Sequence, residues 1–519
     1  MSAAKLKAKI APKNDDGSHA RNSAAEIIEI PLSPAAADAD KCLRKPGAME
    51  IPSNVLADVE ADAARSTKND VATLINRLNA DHFVSIEGGA TSVYRETFDY
   101  ELNRPRLDRI SPQGFRTLHS HKIIAVIDAK GNSSNKQIAS VWLNHPGRRT
   151  YTEGFSLLPG GKTPAGVYNL WRGFGCEPKR GATVADINPA REHLLNVVCS
   201  KDQAAFDYAM GWLARAVQYP DRQAEVAIVL HGGRGTGKGT LGRWFRDLFG
   251  VHGMHIQQPR HLTGNFNAHL RTCLALFVDE SFFVGDKAGN SVLKSVITED
   301  QITVEKKNVD AFTVRNRLKI IMATNEDHAI LAGEDERRYL VLHVSDCKKQ
   351  DHAYFGGLDR WWSNGGKESF LGYLLDYDLT NFDIRKVPNT GALERQKLAS
   401  LPPLGSWLFE RLQEGNLCPR HACGQLPIEW PLEQDRKNVT ADYSEYLKNH
   451  GHRHAKSTPD AVGVGIRKFL ELGDKRESTG ERRRLWVFPS LADARKQFSK
   501  SLGLREFNWP DEDTGVSDE

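Results

Sequence analysis

Unbroken apolar runs of strand length recur through the middle of the chain, at 226–230, 274–278, 320–323 and 340–342. A run with no polar alternate predicts a strand covered on both faces, as in a parallel sheet flanked by helices. Between these runs the spacing changes. Phe206, Met210, Leu213 and Val217 recur at helical intervals, so a helix is expected over about 200–219, stopped by Pro220. Leu241, Trp244 and Phe245 predict a second amphipathic helix. Strands alternating with helices define an α/β fold class.

The flanks read differently. Residues 1–65 are rich in Ala, Ser, Asp and Lys and poor in aromatics, which predicts a disordered tail. Val71, Leu74, Ile75 and Leu78 mark a helix, and the segments HFVSI, KIIAVID and IASVWL read as strands. A small N-terminal α/β domain is therefore expected over 66–195, with an aromatic junction at 168–174. An α/β core would span 196–345. Beyond it a helical extension, 346–428, has Tyr354, Phe355, Trp361, Trp362, Leu371, Leu374 and Leu375 as expected core. Over 429–509, Thr440 can cap a helix reaching Leu447. A second helix is expected over 464–472, a basic strand over 482–488 and a last helix over 491–502. Helix, helix and basic hairpin in that order predict a winged-helix-like domain. Residues 510–519 form an acidic tail.

Composition narrows little. Of 519 residues 40% are hydrophobic and 26% charged, ordinary for a globular protein, and a formal charge of +4 selects no partner class. Seven scattered cysteines without paired spacing suit reduced thiols and a cytoplasmic setting. No apolar run approaches the roughly 20 residues of a membrane span, so no membrane partner is expected. Cys418, His421 and Cys423 could supply three zinc ligands, but their spacing lacks the matched pairs of regular zinc modules.

The chemistry sits at the ends of the apolar runs. After 226–230 comes Gly232-Gly233-Arg234-Gly235-Thr236-Gly237-Lys238-Gly239-Thr240. Strand, glycine loop and helix in this order form a phosphate cradle. Its backbone N–H groups point inward, and the helix N-terminus adds its dipole. Lys238 would reach the β- and γ-phosphates of ATP, and Thr240 would hold Mg²⁺. The hydroxyl stands one place later than usual, after Gly239. The run 274–278 ends in Asp279 and Glu280, the first suited to the metal and the second to polarising the attacking water. The run 320–323 leads through Thr324 to Asn325, expected between the two preceding strands, where it would orient that water. Arg337 and Arg338, just before 340–342, suit an arginine finger. Between the second and third runs, two β-branched segments flank Lys306, Lys307 and Asn308, predicting a hairpin with a basic tip. Arg482, Arg483 and Arg484 give the C-terminal domain a basic edge suited to phosphates of DNA.

Four of these elements resemble the superfamily 3 helicases, replicative ATPases of small DNA viruses, phages and plasmids: GxxGTGKGT, the strand ending in DE, the hairpin VEKKN and the strand ending in ATN. Lys307 matches the hairpin lysine with which the polyomavirus and papillomavirus helicases grip DNA; Asn308 stands where they have histidine. YNLWRGFG, LTGNFNAHL, LKSVITED, RRY and PNTGALERQK are similar to a phage and prophage family of primase-helicase-like ATPases, over about residues 70–412. The resemblance implies an AAA+-like core in a ring-forming, Mg²⁺- and ATP-dependent DNA helicase. It implies a homo-hexamer acting on single-stranded or forked DNA, a separate primase or polymerase as partner, and a bacterial host cell. Two alternatives stay open: a P-loop ATPase that remodels or loads protein partners without unwinding DNA, and a non-enzymatic DNA-binding module.

Overall fold

The computed structural model describes residues 71–127, 133–258, 260–264, 267–279, 287–306, 309–325, 337–418, 430–452, 454–478, 482–504 and 507–510. The N-terminal tail, Glu280, Lys307, Asn308, His421, Cys423 and the acidic tail beyond 510 lie outside the described residues.

The first sheet follows from alternation. Helix α1 (Val71–Asp81) precedes β1 (His82–Glu87), β2 (Ala90–Asp99) and β3 (Arg104–Ile110). Helix α2 (Pro112–Leu118), β4 (Ile123–Ile127), β5 (Ser133–Gln137), α3 (Ile138–Asn144) and β6 (Thr150–Tyr151) follow. The sheet order is β3-β2-β1-β6, with β6 parallel to β1 and the other pairs antiparallel. Val84 and Val93 face the helices beside Phe115 and Trp142, while Phe83 and Tyr94 face away, onto Tyr168. Two short strands, β7 (Phe155–Ser156) and β8 (Tyr168–Asn169), pair in parallel and precede the central sheet in the chain.

One expectation fails here. IASVWL is helix α3, not a strand. Ile138, Ala139, Trp142 and Leu143 are buried, the i, i+1, i+4, i+5 pattern of one helical face. An apolar run this short fits either period, and the anchor that decides is remote: Trp142 Nε1 donates to Asn79 Oδ1 at 2.9 Å.

The central sheet holds β9 (Ala227–His231), β10 (Gly253–Ile256), β11 (Ala275–Asp279), β14 (Lys319–Thr324) and β15 (Tyr339–His343). Its order is β10-β11-β14-β9-β15, and every pair is parallel. Alternate residues feed two cores. Ile228, Leu230, Phe277, Ile321, Leu340 and Leu342 face one side. Ala227, Val229, Leu276, Val278, Ile320, Met322 and Val341 face the other. That double burial is why the runs lack polar alternates. On the first side lie α4 (Gln203–Gln218), stopped before Pro220, and α5 (Lys238–Leu248). Helix α5 lies so close to β11 that a Cβ on Gly242 would stand 2.1 Å from Phe277 Cδ2. The helices α7 (His352–Trp361) and α8 (Lys367–Asp376), with Trp362 between them, share this core through Leu358, Phe370 and Leu374. Helix α6 (Lys287–Thr298) packs on the second side through Leu293, Val296 and Ile297.

The expected hairpin is present as β12 (Gln301–Lys306) and β13 (Val309–Arg315), antiparallel, with Lys306 opposite Val309. Asn267 holds the first strand toward its tip: its side chain accepts from Glu305 N at 2.8 Å and donates to Thr303 O at 3.0 Å.

After α9 (Gly391–Ala399) and α10 (Pro403–Glu414) comes a last module. It comprises β16 (Glu433–Asp435), α11 (Arg436–Asn449), α12 (Pro459–Ile466), β17 (Gly473–Arg476), β18 (Arg484–Val487) and α13 (Leu491–Leu502). Its antiparallel sheet has the order β16-β18-β17, and Trp407, Tyr443, Ile466, Trp486 and Phe498 share one core. The last helix matches expectation; the earlier two are shifted. Asp435 caps α11 by accepting from Lys437 N, so Thr440 is internal and donates to Arg436 O at 2.6 Å. Thr458 caps α12 with Pro459 in its first turn, and α12 ends at Ile466 where 464–472 was expected. Apolar periodicity places a helix but not its cap. No helix among the described residues is long and apolar enough to cross a membrane.

Candidate functional site

The expected chemistry collects at one edge of the central sheet. Parallel strands end together, and β9, β11 and β14 have their C-terminal ends at the same edge, the usual place for a ligand in such sheets. Gly237 has φ 96° and caps α5 without a side chain, so the chain enters the helix with its first N–H groups uncovered. Arg234, Gly235, Thr236, Gly237, Lys238, Gly239 and Thr240 line a cavity of about 410 Å³ together with Arg243, Asp279 and Asn325. Gly232 and Gly233 form the root of the loop. A Cβ on Gly232 would stand 2.9 Å from Val344 O, while one on Gly239 would meet nothing.

Lys238 is the centre of this arrangement. Its Nζ donates to Gly232 O and Gly233 O, both at 2.6 Å, and to Asn325 Oδ1 at 2.7 Å. The residue is only 8% exposed. Burial lowers its pKa from the ordinary lysine value, against the charges of Asp279 and Asp346, which raise it. Strand β14 lies between β9 and β11, which is why Asn325, after its end, reaches the lysine of one neighbouring strand and flanks the acid of the other. Thr236 Oγ1 donates to Gly233 O at 3.0 Å and stiffens the loop. Thr240 is buried, and its N–H bonds Gly237 O at 3.0 Å. Asp279 stands at the end of β11, with His255 Nε2 3.9 Å from its Oδ2.

The cavity fits a polyphosphate and a divalent cation. One wall offers a cation and a helix N-terminus. Asp279 and Thr240, on the same wall system, offer the hard oxygen ligands that magnesium prefers.

Arg337 and Arg338 lie elsewhere. Ala227 N donates to Arg338 O at 2.8 Å, and Tyr339 is opposite Ala227, so both arginines precede the start of β15. The loop leaves the other end of β9, roughly 13 Å along the strand at 3.3 Å per residue. Within the chain the arginines and Lys238 are therefore at opposite edges. The DNA-contact candidates are separate again: Lys306 ends β12, and Arg482, Arg483 and Arg484 are exposed at the β17–β18 edge. Nearby positive charge is partly spent internally, since Arg467 pairs with Asp474 at 2.8 Å and Lys475 with Glu433 at 2.7 Å. Among the described residues no group of three or more His, Cys, Asp or Glu could hold a metal, and burial pushes the Cys418 thiol up.

Gln350, His352 and Phe355 also line the cavity, and periodicity reads Phe355 as core. They arrive on a strap after β15. Gln350 takes φ 60°, and its N–H donates to Gly235 O at 3.0 Å, stitching the strap to the loop. No local motif announces this, because the contact joins segments more than a hundred residues apart.

The architecture is a five-stranded parallel α/β sheet with a glycine loop and lysine at its C-terminal edge. Residues 230–338 match a family model described as a family of unknown function, DUF5906. The chain is 25% identical over 183 residues to a DNA primase-polymerase of Nitratiruptor phage NrS-1, covering 35% of this chain and 24% of that protein. An apo structure of the NrS-1 C-terminal region aligns with a TM-score of 0.56 at 17% identity, covering 82% of this chain and all of that one. A second apo form aligns with the same score over 81% of the chain. The fold is thus that of the NrS-1 C-terminal region, and the chain is related in sequence to a phage replication protein over about a quarter of that protein's length.

Proposed function

We propose that this chain is an ATP-dependent DNA helicase of superfamily 3, with an AAA+-like core, acting as a ring in phage or mobile-element replication. The observation that carries the reading is the convergence of the Lys238 ammonium, Asn325 and Asp279 on one cavity beside a helix N-terminus. Lys238 neutralises the β- and γ-phosphates by exchanging loop carbonyls for phosphate oxygens. Thr240 and Asp279 would hold magnesium, which would supply screening of the charge that develops on the phosphates. Asn325, released from Lys238, orients water, and Glu280 polarises it. The arginines, remote from Lys238 in their own subunit, complete the site of a neighbour; a finger of this kind is worth about 10³–10⁵ in rate.

The hairpin separates a helicase from a remodelling ATPase. Its first strand is held by Asn267 up to Glu305, which fixes where the tip projects and suits a tip that contacts DNA backbone without reading sequence. The winged-helix-like order of the last module and its exposed arginines support a second phosphate-binding surface. The test is ATPase with and without single-stranded DNA, beside fork unwinding. Lys307→Ala should keep basal ATPase and lose both DNA stimulation and unwinding, with Lys306→Ala as the milder control. Unwinding at the wild-type rate by Lys307→Ala would transfer the case to the remodelling ATPase.

A further inference from the structure

Behind the glycine loop lies an aromatic cluster with unmet polar groups. His193 is fully buried; its Nδ1 is 3.0 Å from Tyr354 Oη, and its Nε2 has no hydrogen-bond partner. The indole Nε1 of Trp244, whose ring is 5.6 Å from His193, is also buried without a partner. Buried polar groups are nearly always satisfied, so two orphans side by side call for a ligand or a bound water. Burial pushes His193 down to about 4, so its ring is neutral near pH 7 and offers one neutral nitrogen.

One side chain touches both the cavity and His193. Phe355 lines the cavity on one side and stands edge-on to His193 on the other, centroids 6.1 Å apart. It also lies against the loop itself: a Cβ on Gly237 would stand 2.6 Å from Phe355 Cε1 and 3.3 Å from His193 Cε1. Phe355 is one turn into α7, directly after the strap that Gln350 fastens to Gly235. A flat apolar ring at the mouth of a phosphate cradle, with an unpartnered imidazole behind it, is a platform for a heteroaromatic ring that carries polar atoms on its edge.

We infer that Phe355 is the base platform of the nucleotide site and that His193 Nε2 contacts the base edge when the Phe355 ring turns away from Gly237. The ligand class is a purine nucleoside triphosphate, whose two fused rings cover Phe355 better than a pyrimidine. This rests on the proposed nucleotide reading and adds to it the residues that select the base.

The experiment compares ATP, CTP and inorganic tripolyphosphate as ligands of the full-length protein by calorimetry. Wild type should prefer ATP to CTP. Phe355→Ala and Phe355→Leu should weaken ATP about tenfold, the scale of a base–aromatic stack, and leave tripolyphosphate unchanged. Phe355→Trp should retain ATP. His193→Phe, which keeps a ring against Trp244, should reduce the ATP-to-CTP preference while tripolyphosphate binding persists. Equal losses of ATP and tripolyphosphate in the Phe355 variants would overturn the inference, because the ring would then only prop the loop. An unaltered ATP-to-CTP ratio in His193→Phe would overturn the edge contact. Lys238→Ala tests the underlying reading separately, since it should weaken all three ligands together.

Discussion

Two buried ammonium groups sit at opposite ends of the central sheet, and each has three oxygen partners. At the loop end, Lys238 bonds Gly232 O, Gly233 O and Asn325 Oδ1. At the other end, Lys319, the first residue of β14, bonds Pro220 O at 2.9 Å, Arg222 O at 2.6 Å and Arg317 O at 2.9 Å. By hydrogen-bond count they are alike. They differ in access and in the nature of their partners. Lys238 lines a cavity, and one of its acceptors is a side chain that can turn away. Lys319 is 1% exposed, its acceptors are all backbone, and burial pushes its pKa down to about 7. A buried cation that can change partners can bind a ligand; one enclosed by fixed carbonyls ties a strand to the α4–β9 turn. Satisfaction of the charge is common to both and distinguishes nothing.

The largest expected effect tests whether the far end of the sheet reaches another subunit's loop. Arg337→Ala or Arg338→Ala should lower turnover about 10³-fold while each subunit still binds nucleotide. Mixing the affected variant with Lys238→Ala subunits should restore part of the turnover, because mixed interfaces join an intact loop to an intact arginine. A mixture no more active than its parts would mean that the arginines do not act between subunits.

The two lysines should then part company. Lys238→Ala should cost on the order of 10²–10³ in turnover with little change in the denaturant midpoint. Lys319→Met should do the reverse: three carbonyls lose their donor, which destabilises by about 3 kcal/mol, and turnover per folded molecule holds. Unfolding curves and ATPase on the same samples decide it. A stable Lys319→Met protein would remove the structural half of the contrast.

A smaller effect comes from the histidines, one near each end. His252 Nε2 accepts from Arg172 N at 2.9 Å and Nδ1 is 2.8 Å from Thr272 O, so the ring must be neutral to serve both. Burial pushes His252, like His193, down to about 4. Both take up a proton more readily in the unfolded chain. Their contribution is therefore complete above the ordinary value of 6.5 and is lost as pH falls toward 4. In that window each should remove about 1.4 kcal/mol per pH unit, and His252→Gln should flatten the slope. An unfolding midpoint with the same slope in wild type and variant would exclude His252 as a source.

Residue order alone determined the strand runs, the glycine loop, the acid and asparagine at strand ends, and the hairpin. Each depends on local spacing: double burial makes an apolar run, a phosphate turn needs glycine, and a two-stranded ribbon needs a short polar tip. The order β10-β11-β14-β9-β15 is a different matter. It puts Asn325 beside Lys238 and carries Arg338 to the far edge, and it follows from which strand pairs with which across long stretches of chain. Tertiary structure likewise decided that IASVWL is helical, because Trp142 docks on Asn79. It made Phe355 a wall of the cavity and left His193 unpartnered behind it, since the strap from β15 folds back onto Gly235. Lys319 shows the limit most plainly. Its letter reads as one polar interruption in a β-branched run. Only the distant carbonyls of Pro220 and Arg222, meeting the local one of Arg317 at one point, make it the closing tie of the sheet.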